Sequence, residues 1–310
     1  MRQIQWQDRF NIGVEVVDQA HRRLFSIVEK IMELYVERHE SRFACVEGIK
    51  YFKAYALRHF AQEEAYMREI GYPGYLAHKR IHDRMRWETL PALERELYAT
   101  DFSTQAVQRF IGVCVGWLTG HIAIEDRAIT GKLPVELTPP DMDDELSLVQ
   151  AVIIRPLQEI LGLKVQFVGK FSTRDVIQDA QYYEMTYRIR PDRRLRFILV
   201  IGEEPMVRAA GLMFGMEFYS MNEIARFAIR ELAQNLIQRA SACFEHDSSA
   251  YQMEEDRFLE AWEYNQEFSE RAPQYSLLFS VDQDCFALCV DQLPEDGAPA
   301  PRDGPEGISG

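Results

Sequence analysis

Over the first 130 residues, apolar positions recur every three or four residues. That is the period of helices that bury one face. Leu24, Ile27, Val28, Ile31 and Leu34 mark a first helix, with Asp18 as its expected N-cap. A second is predicted from Ser41 to Arg68, stopped by Ile70-Gly71-Tyr72-Pro73-Gly74. A third starts near Tyr75, with a kink or break expected at Pro91. A fourth runs from Ser103 to Gly131. Four long helices with short connections predict an all-α, up-down four-helix bundle over residues 1–132.

The period then changes. Residues 133–144, rich in Pro and Asp and including Pro139-Pro140, read as a linker. Leu146 to Leu161 reads as a helix. Lys164–Ser172, Tyr182–Arg190 and Leu195–Ile201 have the Val, Ile, Tyr and Phe content of strands. Helical segments are predicted at 204–216, 221–244 and 251–271. Tyr275–Val281 and Cys285–Leu293 read as a closing hairpin across Asp282-Gln283-Asp284. The expected chain is therefore multidomain, with an α+β unit over 145–293 and a disordered tail over 294–310.

Composition narrows the setting. The chain has 310 residues, 47% of them apolar and 27% charged, enough for two packed units. Its net charge of -14 repels phosphate backbones, so nucleic acid is not an expected partner. No uncharged apolar run reaches the roughly 18 residues that would span a bilayer, and no membrane is expected. The opening Met-Arg-Gln-Ile-Gln-Trp has no signal-peptide core. Five scattered cysteines fit a reducing, cytoplasmic setting. Cys285 and Cys289 would share a strand face but lie roughly 13 Å apart, too far to pair.

The histidines carry the chemistry. Six of the seven fall within residues 1–132, and five of these, all but His39, stand at telling positions. His59 and Glu63 are four residues apart, as are His78 and His82, so each pair projects from one helix face. His21 sits early on the first helix; His121 and Asp126 sit late on the fourth. In an antiparallel bundle these side chains converge on one interior point. Five imidazoles and two carboxylates are too many for one tetrahedral zinc. Two octahedral ions offer twelve positions. Five nitrogens, two bridging carboxylates and one oxo or hydroxo bridge occupy eleven, leaving one for a ligand such as dioxygen. Imidazole with carboxylate suits iron. Local geometry leaves one choice open: Glu125, four after His121, shares its α-helical face, while Asp126 lies about 140° away.

The stretch from Trp6 through Phe10-Asn11-Ile12-Gly13-Val14 to Val17-Asp18-Gln19-Ala20-His21-Arg22-Arg23-Leu24-Phe25 resembles the opening of a bacterial hemerythrin. So do His59-Phe60-Ala61-Gln62-Glu63-Glu64, Gly71-Tyr72-Pro73, His78-Lys79-Arg80-Ile81-His82 and His121-Ile122-Ala123-Ile124-Glu125-Asp126. The resemblance covers residues 1 to about 132. It implies a di-iron site and selects Asp126 over Glu125. His78, His82 and His121 would hold one iron, His21 and His59 the other, with Glu63 and Asp126 bridging. The two-histidine iron would bind dioxygen reversibly as a hydroperoxide. Ala20 departs from the Gln that many members carry there.

A second resemblance lies in the C-terminal unit. Ala210-Gly211-Leu212-Met213-Phe214-Gly215, followed by Ala228-Ile229-Arg230-Glu231-Leu232-Ala233-Gln234, is similar to the CheX/CheC chemotaxis phosphatases. The resemblance implies a phosphorylated response regulator as partner, with Glu231 engaging it and Gln234 orienting the attacking water. The family has Asn where Gln234 stands, and Phe227 replaces its usual Asp or Ser. Together the two resemblances predict an oxygen or redox sensor coupled to a signalling unit. The alternatives are an oxygen carrier or storage protein that forms a homodimer through a non-catalytic second unit, and a regulator phosphatase.

Overall fold

The computed structural model describes residues 4–37, 42–131, 153–172, 177–190, 193–244, 252–268 and 273–293. The linker with Pro139-Pro140, the tail, His39 and His246 lie outside these residues.

In the N-terminal unit α1 (Glu15–Ile31) buries Val17, Leu24, Phe25, Val28 and Ile31. It begins a turn earlier than expected, so Asp18 does not cap it. The Asp18 carboxylate instead accepts from the backbone N–H groups of Ile12 at 2.7 Å and Gly13 at 3.0 Å, folding the entry loop back. α2 (Arg42–Glu69) leads to α3 (Tyr75–Arg84) and α4 (Leu90–Ala99). Between α3 and α4 the chain widens into a π-helical turn, Met85–Thr89. Pro91 has no N–H for the carbonyl four residues back, and its ring crowds that carbonyl, so the turn opens there without breaking the helix. α5 (Thr104–His121) is capped by Ser103, whose hydroxyl accepts from the Ala106 N–H. A second π-helical turn, Ile122–Asp126, joins it to the short α6 (Arg127–Ile129). The stretch Thr104–Ile129 is long and apolar enough to cross a membrane by composition, and here it is the buried centre of the fold.

The second unit starts with α7 (Arg155–Leu161), ended by Gly162 in the left-handed region. Its strands are β1 (Val165–Lys170), β2 (Ala180–Arg190), β3 (Arg193–Gly202), β4 (Gln252–Leu259), β5 (Tyr275–Val281) and β6 (Asp284–Leu293). They form one antiparallel sheet in the order β1-β5-β6-β3-β2-β4. α8 (Glu203–Phe214) and the long α9 (Glu223–Phe244) cover one face. The short α10 (Ala261–Phe268) covers the other, packing Tyr264 and Phe268 on Ile198 and Val200.

The helix expected over 251–271 is replaced by β4 followed by α10. The open edge of β2 offers a ladder of unpaired backbone groups. β4 takes it, from Tyr182 opposite Leu259 to Arg188 opposite Gln252. Pairing outweighs a sequence whose charges suit either state. Cys285 and Cys289 both lie on β6, with no disulfide between them.

The two units meet along α5 and α9, and a single apolar core runs from the bundle through α9 to the sheet. Gly112, Gly116 and Gly120 make this close approach possible. A Cβ on Gly112 would lie 2.5 Å from the Ile224 carbonyl oxygen. One on Gly116 would lie 2.6 Å from the Ala228 oxygen and 2.8 Å from Glu231 Cβ. One on Gly120 would come within 3.0 Å of the Asn235 side chain. Backbone meets backbone, so the seam has no slack. The Gly116→Leu variant should lose about 1–3 kcal/mol by overpacking, seen as an earlier urea midpoint. It should also raise amide exchange along α9, while Gly71→Ala, with nothing within 4 Å of its Cβ, should leave α9 exchange unchanged.

Candidate metal centre

Four helices of the bundle contribute inward-facing groups. α1 places His21, α2 places His59 and Glu63, α3 places His78 and His82, and α5 ends in His121. All six are buried, as is Asp126. Two clusters of possible ligand atoms form: Glu63 with His78, His82 and His121, and Glu63 with His21 and His59. Asp126 spans them, with Oδ1 3.0 Å from His121 Nε2 and 3.4 Å from His78 Nε2, and Oδ2 3.3 Å from His21 Nε2. Glu63 Oε2 lies 3.3 Å from His82 Nε2, 3.7 Å from His59 Nε2 and 3.8 Å from His78 Nε2.

The π-helical turn explains Asp126. In an α-helix the residue five after His121 points away, but a turn closed by i→i+5 bonds brings it round to the same face. The turn Ile122–Asp126 sits where it does this. Glu125 is rotated outward and lines the cleft between the units.

The donor set fits cations. Among the described residues, both oxygens of Glu63, both of Asp126, and Nε2 of His21 and His59 are buried without a hydrogen-bond partner. Such orphans are costly unless an ion takes them. Burial and neighbouring imidazoles hold His21 and His121 well below the usual imidazole range, and burial chiefly holds His59 down to about 4. These rings are neutral at physiological pH, the form that ligates. Burial opposes charge on Glu63, yet the facing His78 and His82 hold it well below the usual carboxylate range. Burial and the adjacent Glu63 push Asp126 well above it. Two carboxylates confined with five imidazoles form a site short of positive charge.

Aromatic rings frame the cluster. Trp117 stacks on His121 at 4.4 Å and 12°. Phe60 stacks on His82 at 4.3 Å and 17°. Trp6 lies over His21 at 6.4 Å, inclined by 28°. The sequence signal for Trp117 is its place one turn before His121, between Gly116 and Gly120.

Glu231 and Gln234 lie on α9, beside α5, and line a cleft of about 760 Å³ between the units. Glu231 keeps a partial opening to this cleft, but burial pushes its carboxyl up to about 7 against the pull of Arg230. The Gln234 amide donates to Tyr183 Oη at 2.7 Å and to Asp256 at 3.2 Å. Tyr183 donates to Asp256 at 2.5 Å, and Arg230 pairs with the same carboxylate. Sequence reasoning did not find this network, because Asp256 reaches it only once β4 has paired with β2.

An interior, carboxylate-spanned, histidine-rich cluster inside a four-helix bundle defines the class: a bundle whose core is built to hold cations. The Hemerythrin HHE cation binding domain family matches residues 12–133. The bacteriohemerythrin of Stenotrophomonas maltophilia (strain R551-3) is 33% identical over 142 residues, covering 43% of this chain and 82% of that protein. That of Pseudomonas aeruginosa (strain LESB58) is 39% identical over 136 residues, covering 41% and 78%. Through its N-terminal unit, the chain belongs to the hemerythrin family. Among solved structures, chemotaxis protein CheX from Vibrio vulnificus aligns over 49% of this chain and 98% of its own, with 11% identity and a TM-score of 0.36. A CheC-like superfamily protein from Shewanella sp. PV-4 aligns with 11% identity and a TM-score of 0.35, covering 49% and 99%.

Two outcomes are expected. Asp126→Ala should lose most bound iron by metal analysis, while Glu125→Ala should retain it; the reverse would mean that an α-helical turn governs in solution. A carboxyl raised on folding contributes stability that is fully present below its ordinary value and lost as pH rises through its folded value. Here that window runs from 4.5 up to about 7. The melting temperature should therefore fall between about pH 4.5 and pH 7 and level off above that, and Glu231→Gln should flatten that fall.

Proposed function

We propose that this protein is an oxygen or redox sensor in which a di-iron bundle acts on the second unit through shared helix contacts. In this reading His78, His82 and His121 would hold one iron and His21 and His59 the other, with Glu63 and Asp126 as the shared carboxylates. Bound iron supplies reversible dioxygen binding. The chain's own part is to keep the site dry, hold the imidazoles neutral and aim their Nε2 atoms inward.

One observation carries the reading. α5 presents His121 and the stacked Trp117 to the cluster, and its glycine seam contacts α9 directly. A shift of His121 cannot be absorbed at a seam where backbones touch, so it is passed to α9. The two-histidine side has its own route. Trp6 lies over His21, and its neighbours reach the second unit. The Gln5 N–H donates to the Phe214 carbonyl at 2.9 Å, and the Gln7 amide to that of Leu212 at 2.7 Å. Arg9 donates to the carbonyls of Leu161 and Leu212. A second unit that served only to dimerise a carrier would need none of these contacts.

The output in this reading is α9, where Glu231 and Gln234 act on a phosphorylated response regulator in the cytoplasm. With Gln234 tied to Tyr183 and Asp256, the docked arrangement is the quiet one. The test is amide exchange of α9, together with dephosphorylation of candidate regulators, in the deoxy, oxy and met forms. Protection of Glu223–Phe244 should change with iron state, and Gly116→Leu should abolish the dependence. Equal protection in all three forms, with no regulator losing phosphate faster, would overturn the sensor reading. In the responsive form, Gln234→Ala should cut dephosphorylation at least about tenfold, roughly 1.4 kcal/mol of transition-state stabilisation.

A further inference from the structure

Glu64 follows the cluster carboxylate Glu63 but faces the other way, and it is buried. Its Oε1 lies 3.3 Å from His82 Nδ1, the ring nitrogen turned away from the cluster. Arg86 donates to the same oxygen at 2.9 Å. Arg86 is in turn held by Asp83, and Asp83 by Lys79, so a chain of alternating charge leads outward from the ring. The Arg86 guanidinium also lies 5.8 Å from the centre of Phe60, the ring that stacks on His82. The other histidines of the cluster are not treated alike. The Nδ1 atoms of His21, His78 and His121 are buried with no hydrogen-bond partner among the described residues.

We propose that Glu64, clamped by Arg86, is a positioning residue that fixes the His82 tautomer and makes His82 the most electron-rich imidazole of the three-histidine group. The inference rests on the di-iron reading above. A carboxylate accepting from Nδ1–H leaves Nε2 as the unprotonated nitrogen, which faces His78, His121 and Glu63. It also draws the Nδ1 proton toward itself and raises the donor strength of Nε2. Stronger donation favours the ferric over the ferrous state of the iron it binds. Glu64 therefore sets a redox asymmetry between the two metal positions: one carries a carboxylate-backed imidazole, and His21 on the other side has none on its outer nitrogen. Sequence alone does not distinguish Glu64 from an exposed neighbour of a ligand, because the contact needs α2 and α3 side by side.

The test compares the iron-loaded full chain with its Glu64→Gln variant at a fixed redox poise. Glu64→Gln keeps the volume and the acceptor oxygen but removes the charge. The ferrous-to-ferric ratio should rise about tenfold, equivalent to about 59 mV for a one-electron couple. Iron retention against a chelator should weaken by roughly ten- to a hundredfold. Glu64→Asp, which keeps the charge one methylene further away, should restore part of the shift. Arg86→Gln, which loosens the clamp, should show a smaller change of the same sign. Glu94→Gln, a carboxylate paired with Lys53 on α4, should behave as wild type. The redox ratio decides. A Glu64→Gln protein that loads two irons and keeps the wild-type ratio overturns this inference and leaves the di-iron reading standing. A wild type that takes up no iron overturns both. If Glu64→Gln does not fold, the Glu64→Asp and Arg86→Gln ratios decide in the same way.

Discussion

The structure turns on one constraint: α5 must satisfy two neighbours at once. One face carries His121 and Trp117 into the bundle interior. The other presents three glycines to α9, Gly112 and Gly116 against its backbone and Gly120 against the Asn235 side chain. A side chain at any of those glycines would hold the helices apart and open the continuous core. The seam therefore joins what the chain order separates.

Polar burial follows from the same arrangement. The bundle places five imidazoles and two carboxylates where water cannot reach them. An apolar core would tolerate this only with partners for every lone pair, and several of these atoms have none among the described residues. The cluster is thus stable as a cation site and strained as anything else. The network around Asp256 is the opposite case. Tyr183, Gln234 and Arg230 all meet one carboxylate, and α9 is fastened to β2 and β4. α9 is held on the sheet side by these hydrogen bonds and on the bundle side by the absence of side chains.

Direct contact bears on the communication between the units that the proposed sensor would need. A linker rich in proline invites the idea that orientation passes along the chain. The described residues show two shorter routes, through α5 to α9 and through the Trp6 strap to the ends of α7 and α8. Both begin at a ring stacked on a cluster histidine. A rigid-body change at either ring has a defined place to go.

The sequence by itself determined the elements whose signal is local. Helical periodicity marked the bundle, and the spacing of four in His59/Glu63 and His78/His82 marked which faces carry ligand-type residues. Runs of Val, Ile, Tyr and Phe marked five of the six strands. It also held the glycine repeat at 112, 116 and 120, which has meaning only once a partner helix is known. Tertiary structure decided the rest, and in each case the reason is a partner distant in sequence. β4 became a strand because β2 had an open edge. Asp18 turned back to the entry loop because α1 started early. Local α-helical geometry pointed to Glu125, and the π-helical turn directs Asp126 inward instead. Glu64 reads as a neutral neighbour of a ligand until α2 and α3 bring its carboxylate to the back of His82. Period and composition are properties of a segment; burial, pairing and the facing of one charge to another are properties of the packed whole.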